Sequence, residues 1–153
     1  MTTNTPFISY QIFDEPPTSA LLVVDAGLDA HNHAAAPLDD VRPLAAIASL
    51  PTGDVVGGAV GRTWGGCCEL LQLWVHPGHR GRGTASRLLM EFERRGLSRG
   101  CHTFYLTTLS FQAPEFYQKR GYSVLARIAG YPEGIAKYLM QRKQSPEASD
   151  VNA

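Results

Sequence analysis

The 153-residue sequence carries no net charge: fourteen Lys and Arg balance fourteen Asp and Glu. A protein that grips nucleic acid through its phosphates carries a basic excess, so this balance argues against a general nucleic-acid binder. Cysteine is scarce. Cys67, Cys68 and Cys101 are odd in number with two adjacent, which does not make a disulfide framework. They read as free thiols in a reducing cytoplasm, serving packing rather than nucleophilic roles. No apolar run approaches the roughly 18 residues of a membrane span, so no membrane partner is expected. The opening MTTNTPFISYQIFDEPP has neither the basic nor the apolar region of a signal peptide, and the expected location is the cytoplasm. Internal repeats are also missing. Hydrophobic residues at 44% and charged residues at 18% are an ordinary folded composition. A chain of this length builds its core without disulfides or metals, here as one domain over residues 1–142 followed by a disordered polar tail, 143–153.

Residues 1–6 are polar and expected to be loose. Ile8, Tyr10 and Ile12 alternate with polar residues and predict a strand over Ile8–Phe13. After Pro16-Pro17, a helix is expected from about Ala20 to Ala30 with Thr18 or Ser19 as its cap, although Leu21–Val24 also suits a strand. Asp29–Asp40, with His31, Asn32 and His33, reads as a loop. Leu44–Leu50 and Val55–Val60 form a hairpin across the turn Pro51-Thr52-Gly53-Asp54. Gly65-Gly66 marks the next turn. The run Glu69–Val75 is the best buried strand, and simple alternation puts Glu69, Leu71, Leu73 and Val75 on one face. A helix over about Gly83–Leu97 places Ala85, Leu88, Leu89 and Phe92 on one side. A strand follows at His102–Thr107. Pro114 starts a short helix and Gly121 ends it, with Glu115 and Lys119 one turn apart. Tyr122–Ile128 and Ile135–Gln141 are the last strands. Two strand-then-helix units after a meander predict an α/β fold in one domain.

The segment Val75-His76-Pro77-Gly78-His79-Arg80-Gly81-Arg82-Gly83-Thr84-Ala85 carries the chemistry. A strand leads in and an amphipathic helix leads out. The first N–H groups of a helix lack internal partners and sit at the positive end of its dipole. Glycines let the backbone approach a ligand closely, and arginines add charge-assisted hydrogen bonds, so an anion such as pyrophosphate is the natural guest. No Gly-Lys-Ser/Thr follows, which excludes a P-loop, and the acidic strand end of a dinucleotide fingerprint is missing. The plainer alternative is a tight turn capping a structural helix.

Arg80-x-x-Gly83-x-Ala85, placed after Leu70–Val75, resembles the acyl-CoA-binding motif of the GNAT superfamily of N-acetyltransferases. Phe116-Tyr117-Gln118-Lys119-Arg120-Gly121-Tyr122 is similar to the family's Phe-Tyr-x-Lys-x-Gly-Phe segment, at the family's usual distance downstream. The similarity covers about residues 44–141. It implies a mixed, mostly antiparallel sheet flanked by helices, whose fourth and fifth strands splay apart to admit the pantetheine arm of acetyl-CoA. Backbone groups of Leu73, Trp74 and Val75 would pair with that arm as an added strand does. The amides of Arg80, Gly81, Arg82, Gly83, Thr84 and Ala85 would hold the pyrophosphate. Where the family often has Asn, seven residues before the motif tyrosine, this sequence has Ser110, a shorter contact for the coenzyme.

Acetyl transfer needs a neutral amine, a polarised thioester and a proton for the leaving thiolate. The resemblance implies direct attack by the amine, with no enzyme nucleophile and no metal. Glu69 is the candidate base, since family members carry one on this strand; it also reads as a surface carboxylate at a strand end. A backbone N–H near Leu73–Val75 would polarise the thioester carbonyl. Tyr117 matches the family tyrosine facing the CoA sulfur and is the candidate acid, or else a core tyrosine beside Phe116. His31-x-His33 is a weak metal pair or a lining of the acceptor pocket, and Trp64 and Tyr131 are further candidates to flank the acceptor.

The expected function is transfer of acetyl to a primary amine of a small molecule or peptide. The competing functions are an acyl-CoA sensor without turnover and an enzyme acting on a macromolecule. A late strand at the sheet edge offers a route to a homodimer. Replacing Gly83 by a bulky residue is expected to block the approach of the phosphates. Calorimetry should then show CoA affinity sharply reduced, and normal affinity would exclude the loop as the phosphate seat.

Overall fold

The computed structural model describes residues 7–144, so the loose start expected at 1–6 and all but the first two residues of the tail expected at 143–153 lie outside the described residues. The chain falls into two compact units that divide between Asp39 and Asp40.

In the first unit, the strand expected at Ile8–Phe13 does not form. Alternation supplies an amphipathic face, but a strand also needs a hydrogen-bonded neighbour, and none pairs with this segment among the described residues. Helix α1 spans Thr18–Ala35 and is longer than expected. Neither Thr18 nor Ser19 caps it. Pro17 holds the N-cap position in an extended conformation, and its carbonyl accepts from Ala20 N at 3.0 Å. The loop expected at Asp29–Asp40 is therefore helical as far as Ala35. Ala30, Ala34 and Ala35 are strong helix formers, and Pro37 forces Ala36 out of the helical region to φ −148°, ψ 157°. No helix of the described residues is long and apolar enough to cross a membrane.

The second unit is a six-stranded mixed sheet with helices, an α/β architecture. Strands β1 (Arg42–Ser49), β2 (Val55–Trp64) and β3 (Cys67–Val75) form an antiparallel meander. Helix α2 (Thr84–Ser98) crosses over to β4 (Thr103–Leu109), which lies parallel to β3. After the short helix α3 (Pro114–Gln118), β5 (Ser123–Ile128) takes the edge, and β6 (Lys137–Lys143) inserts between it and β4. The spatial order is β1-β2-β3-β4-β6-β5. Strand β6 takes in Lys143, which the sequence pattern leaves in the tail.

The core lies under α2. Leu88, Leu89 and Phe92 on its inner face meet Leu70, Phe104, Leu106 and Met140 from the sheet. Burial of each such side chain is worth about 1.5–3 kcal/mol. Gly96 permits the close approach: a Cβ there would lie 2.9 Å from Phe104 Cε1 and 3.0 Å from Cys68 Sγ.

Strand β3 does not alternate simply. Gln72 stands opposite Val60 and Leu70 opposite Gly61, so Leu71 is the extra residue of a β-bulge. The bulge reverses the side-chain phase. Cys68 and Leu70 before it share the core face with Leu73 and Val75 after it, and Glu69 projects from the opposite face. The expected alignment of Glu69 with Leu73 and Val75 is thus corrected by one inserted residue.

Strands β3 and β4 pair only over Cys67–Leu70 and Thr103–Leu106, although β3 continues to Val75 and β4 to Leu109. Beyond the bulge they part. The expected splay is therefore present, between the third and fourth strands of the described sheet, because the segment Ile8–Phe13 adds none. Gly61 sits opposite the parting, where a Cβ would fall onto the Glu69 carbonyl oxygen and 2.8 Å from Phe92 Cζ. Gly61→Ala is expected to lower stability by about 1–3 kcal/mol in a denaturant titration. An unchanged midpoint would show that the bulge tolerates a side chain there.

Candidate active site

The segment after β3 turns tightly. Pro77–His79 is a single 3-10 turn, with Gly78 N donating to His76 Nδ1 at 3.1 Å. Gly81 (φ +72°) and Gly83 (φ +78°) both adopt left-handed conformations, and a Cβ on either would point into open space. Gly83 is the N-cap of α2 and offers no side-chain cap. The first intrahelical bond is Arg87 N to Gly83 O at 3.0 Å, which leaves the N–H groups of the first turn, Thr84 to Ser86, directed outward. Arg80 is exposed but reaches back: its Nε donates to Val75 O at 2.8 Å, tying the loop to the end of β3. Arg82, Gly83 and Thr84 border a separate recess against β1.

The parted strands enclose a cleft of about 930 Å³, lined by Leu70–Val75 on one side, Leu106–Thr108 on the other, and Arg80, Ala85 and Tyr117. His76 N donates to Val56 O at 2.7 Å, so residue 76 points its backbone toward β2. Alternation along the strand then turns Trp74 toward β2 as well, opposite Gly58, and turns the backbone groups of Leu73 and Val75 toward the cleft. The Arg80 bond to Val75 O agrees with that direction. Of the three residues expected to offer backbone groups, Leu73 and Val75 present them to the cleft.

Tyr117 lies on the cleft wall. Pro114 opens α3, and Gly121 (φ +86°) closes it with Gly121 N on Gln118 O and Tyr122 N on Tyr117 O. The Tyr117 ring is buried, with Phe116 at 5.2 Å and Tyr122 at 5.9 Å in edge-on contact. Its hydroxyl has no hydrogen-bond partner among the described residues, and burial pushes the phenol above its ordinary range. Ser110 does not line the cleft: its Oγ accepts from Ala136 N at 3.1 Å. Polar groups that line the cleft there include Thr108 and Gln112, joined at 3.2 Å. The sequence reading passed over both. Thr108 could have been found, because strand alternation places it inward with Phe104 and Leu106.

Glu69 stands at the fork. It is the residue before Leu70, where pairing with β4 ends, and it lies opposite Tyr105 in the parallel register. Arg62 from β2 donates through Nε to its carboxylate at 2.8 Å. Burial, reinforced by the charge of Glu69, raises the Tyr105 phenol above its ordinary range.

Comparison with known proteins decides the family. The profile of the acetyltransferase (GNAT) family matches residues 10–122. A blasticidin-S acetyltransferase of Streptomyces morookaense is 37% identical over 111 residues, covering 70% of this chain and 82% of that protein. This chain belongs to the GNAT family of acetyltransferases. An acetyltransferase of Agrobacterium fabrum is 30% identical over 107 residues, covering 70% of this chain and 78% of that protein. Among solved structures, an acetyltransferase from Agrobacterium tumefaciens shares the fold with a TM-score of 0.76 at 24% identity, covering 90% of this chain and 100% of that one. One from Bacillus cereus does so at 0.73 and 23%, covering 88% and 98%.

GNAT enzymes take acetyl-CoA or another acyl-CoA as co-substrate together with an acceptor. The outward N–H groups of α2, the open space at Gly81 and Gly83, and the unpaired β3 edge fit a pyrophosphate joined to an extended amide-bearing arm. Trp64 and Tyr131 are both partly exposed and neither lines the cleft. His31 and His33 lie on α1 rather than a loop, and His33 Nδ1 is 2.9 Å from Asp29 O, its pKa raised by that bond and by the Asp29 carboxylate. Cys68 and Cys101 are buried and Cys67 is exposed; burial, with Cys101 beside it, pushes the Cys68 thiol up to about 12.

Burial disfavours the phenolate, so Tyr117 should keep its proton above the pH of about 10 where a free tyrosine ionises. Ultraviolet difference titration of the protein against Tyr117→Phe measures this. A component lost in the variant that titrates below pH 10 would contradict the buried setting.

Proposed function

We propose that this GNAT protein is an acetyl-CoA-dependent N-acetyltransferase that moves acetyl to a primary amine of a small molecule or peptide by direct attack on the thioester. The observation that carries this reading is the cleft between β3 and β4, which has an uncapped glycine-rich helix start at one end and Tyr117 on its wall. In this reading the amides from Arg80 to Ala85 receive the pyrophosphate, and Leu73 and Val75 bond the pantetheine arm. A backbone N–H of β3 polarises the thioester carbonyl where the strands part. Tyr117, kept protonated by burial, supplies the proton to the leaving thiolate.

Glu69 acts as the base. It lies on the face of β3 away from the core, at the fork itself, so an amine arriving from that side would meet Glu69 while the coenzyme occupies the cleft. The acetyltransferase domain is taken as residues 1–142, and the family match across the division at Asp39–Asp40 supports that extent. Three free cysteines suit a cytoplasmic setting. The edge position of β5 supports pairing with a second copy.

The relative named for blasticidin-S supports a small-molecule acceptor. Incubation with acetyl-CoA and a panel of amines that includes blasticidin-S, followed by thiol release, tests the reading. Turnover on a small amine is the expected result. Tight CoA binding without turnover on the panel would favour an acyl-CoA sensor, and turnover confined to a protein substrate would favour a macromolecular acceptor.

Two substitutions separate the roles. Tyr117→Phe should lower kcat roughly 10²-fold while CoA affinity stays within about twofold. Glu69→Gln should lower turnover by a similar factor of about 10², most at the pH where the amine is protonated. An unchanged rate removes the residue concerned from the mechanism.

A further inference from the structure

Arg120 makes three contacts that Tyr117 acting as an acid does not require. Its Nη1 donates to Phe116 O at 2.9 Å, its Nη2 donates to Ser86 Oγ, and its guanidinium stacks over the Phe116 ring at 3.7 Å. Ser86 belongs to the first turn of α2, beside the outward N–H groups of the glycine-rich loop. Phe116 precedes Tyr117 and lines the same cleft. One partly buried side chain therefore fastens the helix start that would receive phosphate to the five-residue helix that carries the phenol.

A helix of five residues has little stability of its own, so α3 depends on such external ties for its position. A planar guanidinium suits the task. It donates in two directions while stacking on an aromatic face, a combination that an ammonium cannot reproduce.

We propose that Arg120 is a positioning residue that couples occupancy of the α2 N-terminus to the seat of Tyr117. When an anion takes up the first-turn amides, the turn containing Ser86 stiffens. Arg120 passes that order to Phe116 and thus to the adjacent phenol. The inference rests on the reading of the loop as the pyrophosphate seat and of Tyr117 as the acid.

Hydrogen exchange with and without CoA, read on the full chain, tests the coupling apart from chemistry. In the unaltered protein CoA should slow exchange in the first turn of α2 and also at Lys119, Gly121 and Tyr122, whose amides close α3. In Arg120→Ala the α2 response should persist and the α3 response should disappear. Ser86→Ala, which removes one partner without disturbing the Phe116 contacts, should weaken the α3 response, and Arg120→Lys should restore part of it. In turnover, Arg120→Ala should lower kcat roughly tenfold with KM for acetyl-CoA within about twofold, and should add no further loss in a Tyr117→Phe background. An α3 response retained in Arg120→Ala, or a further loss in that background, overturns the proposal. Protection of α2 alone in the unaltered protein overturns the coupling and leaves the phosphate seat standing. Protection of neither helix overturns both.

Discussion

The separation of β3 from β4 beyond Leu70 is the constraint on which the rest of the site depends. A sheet of this size gains stability by completing its hydrogen bonds, so two long neighbouring strands stay apart only if something stops the pairing. Here the bulge at Leu71 breaks the register at the point of parting, and Gly61 opposite gives the distorted backbone and the Phe92 ring room to meet. Each strand keeps its other partner throughout: β3 holds β2 as far as Val75, and β4 holds β6 as far as Leu109. The cleft is thus framed by paired strands on its outer sides, while its inner edges keep backbone groups available for a ligand.

The two ends of that cleft are prepared differently. At the loop end, α2 begins without a side-chain cap, so its orphan amides and dipole remain available to an anion. Along the wall, burial governs. Glu93 of α2 is buried, accepts from Tyr122 Oη at 2.8 Å and pairs with Arg142 Nη1 at 2.7 Å. Burial raises its pKa, and the Tyr122 hydrogen bond and Arg142 charge oppose that rise. This network fastens α2 to β6 and to the start of β5, and Tyr122 backs the Tyr117 ring. A polar cluster deep in the core thus supports Tyr117, a buried tyrosine whose hydroxyl has no hydrogen-bond partner among the described residues.

Much of this was readable from residue order because local physics dominates it. The turn at Pro51–Asp54, the amphipathic face of α2 and the Pro114-to-Gly121 helix depend on near neighbours and formed as expected. The misreadings share a cause. Ile8–Phe13 has a strand pattern but no strand to pair with, and the face of Glu69 was inverted by a bulge that only the opposing strand reveals. The surroundings of Ser110 depend likewise on a distant partner: its hydroxyl accepts from Ala136 N, 26 residues away in sequence. Helix α1 outran its expected end because the polar His31-Asn32-His33 obscured the helix propensity of the alanines around it.

The sequence by itself determined the glycine- and arginine-rich loop, the helix that follows it and the tyrosine downstream, since glycine conformation, helix-end amides and motif spacing are properties of short stretches. Tertiary structure alone decided where those parts meet. It inserted β6 between β4 and β5, released the Leu73 and Val75 edge by parting β3 from β4, turned Glu69 to the outer face, and bound α3 to α2 through Arg120. Those outcomes depend on pairings between residues far apart in the chain, which periodicity along one segment does not encode.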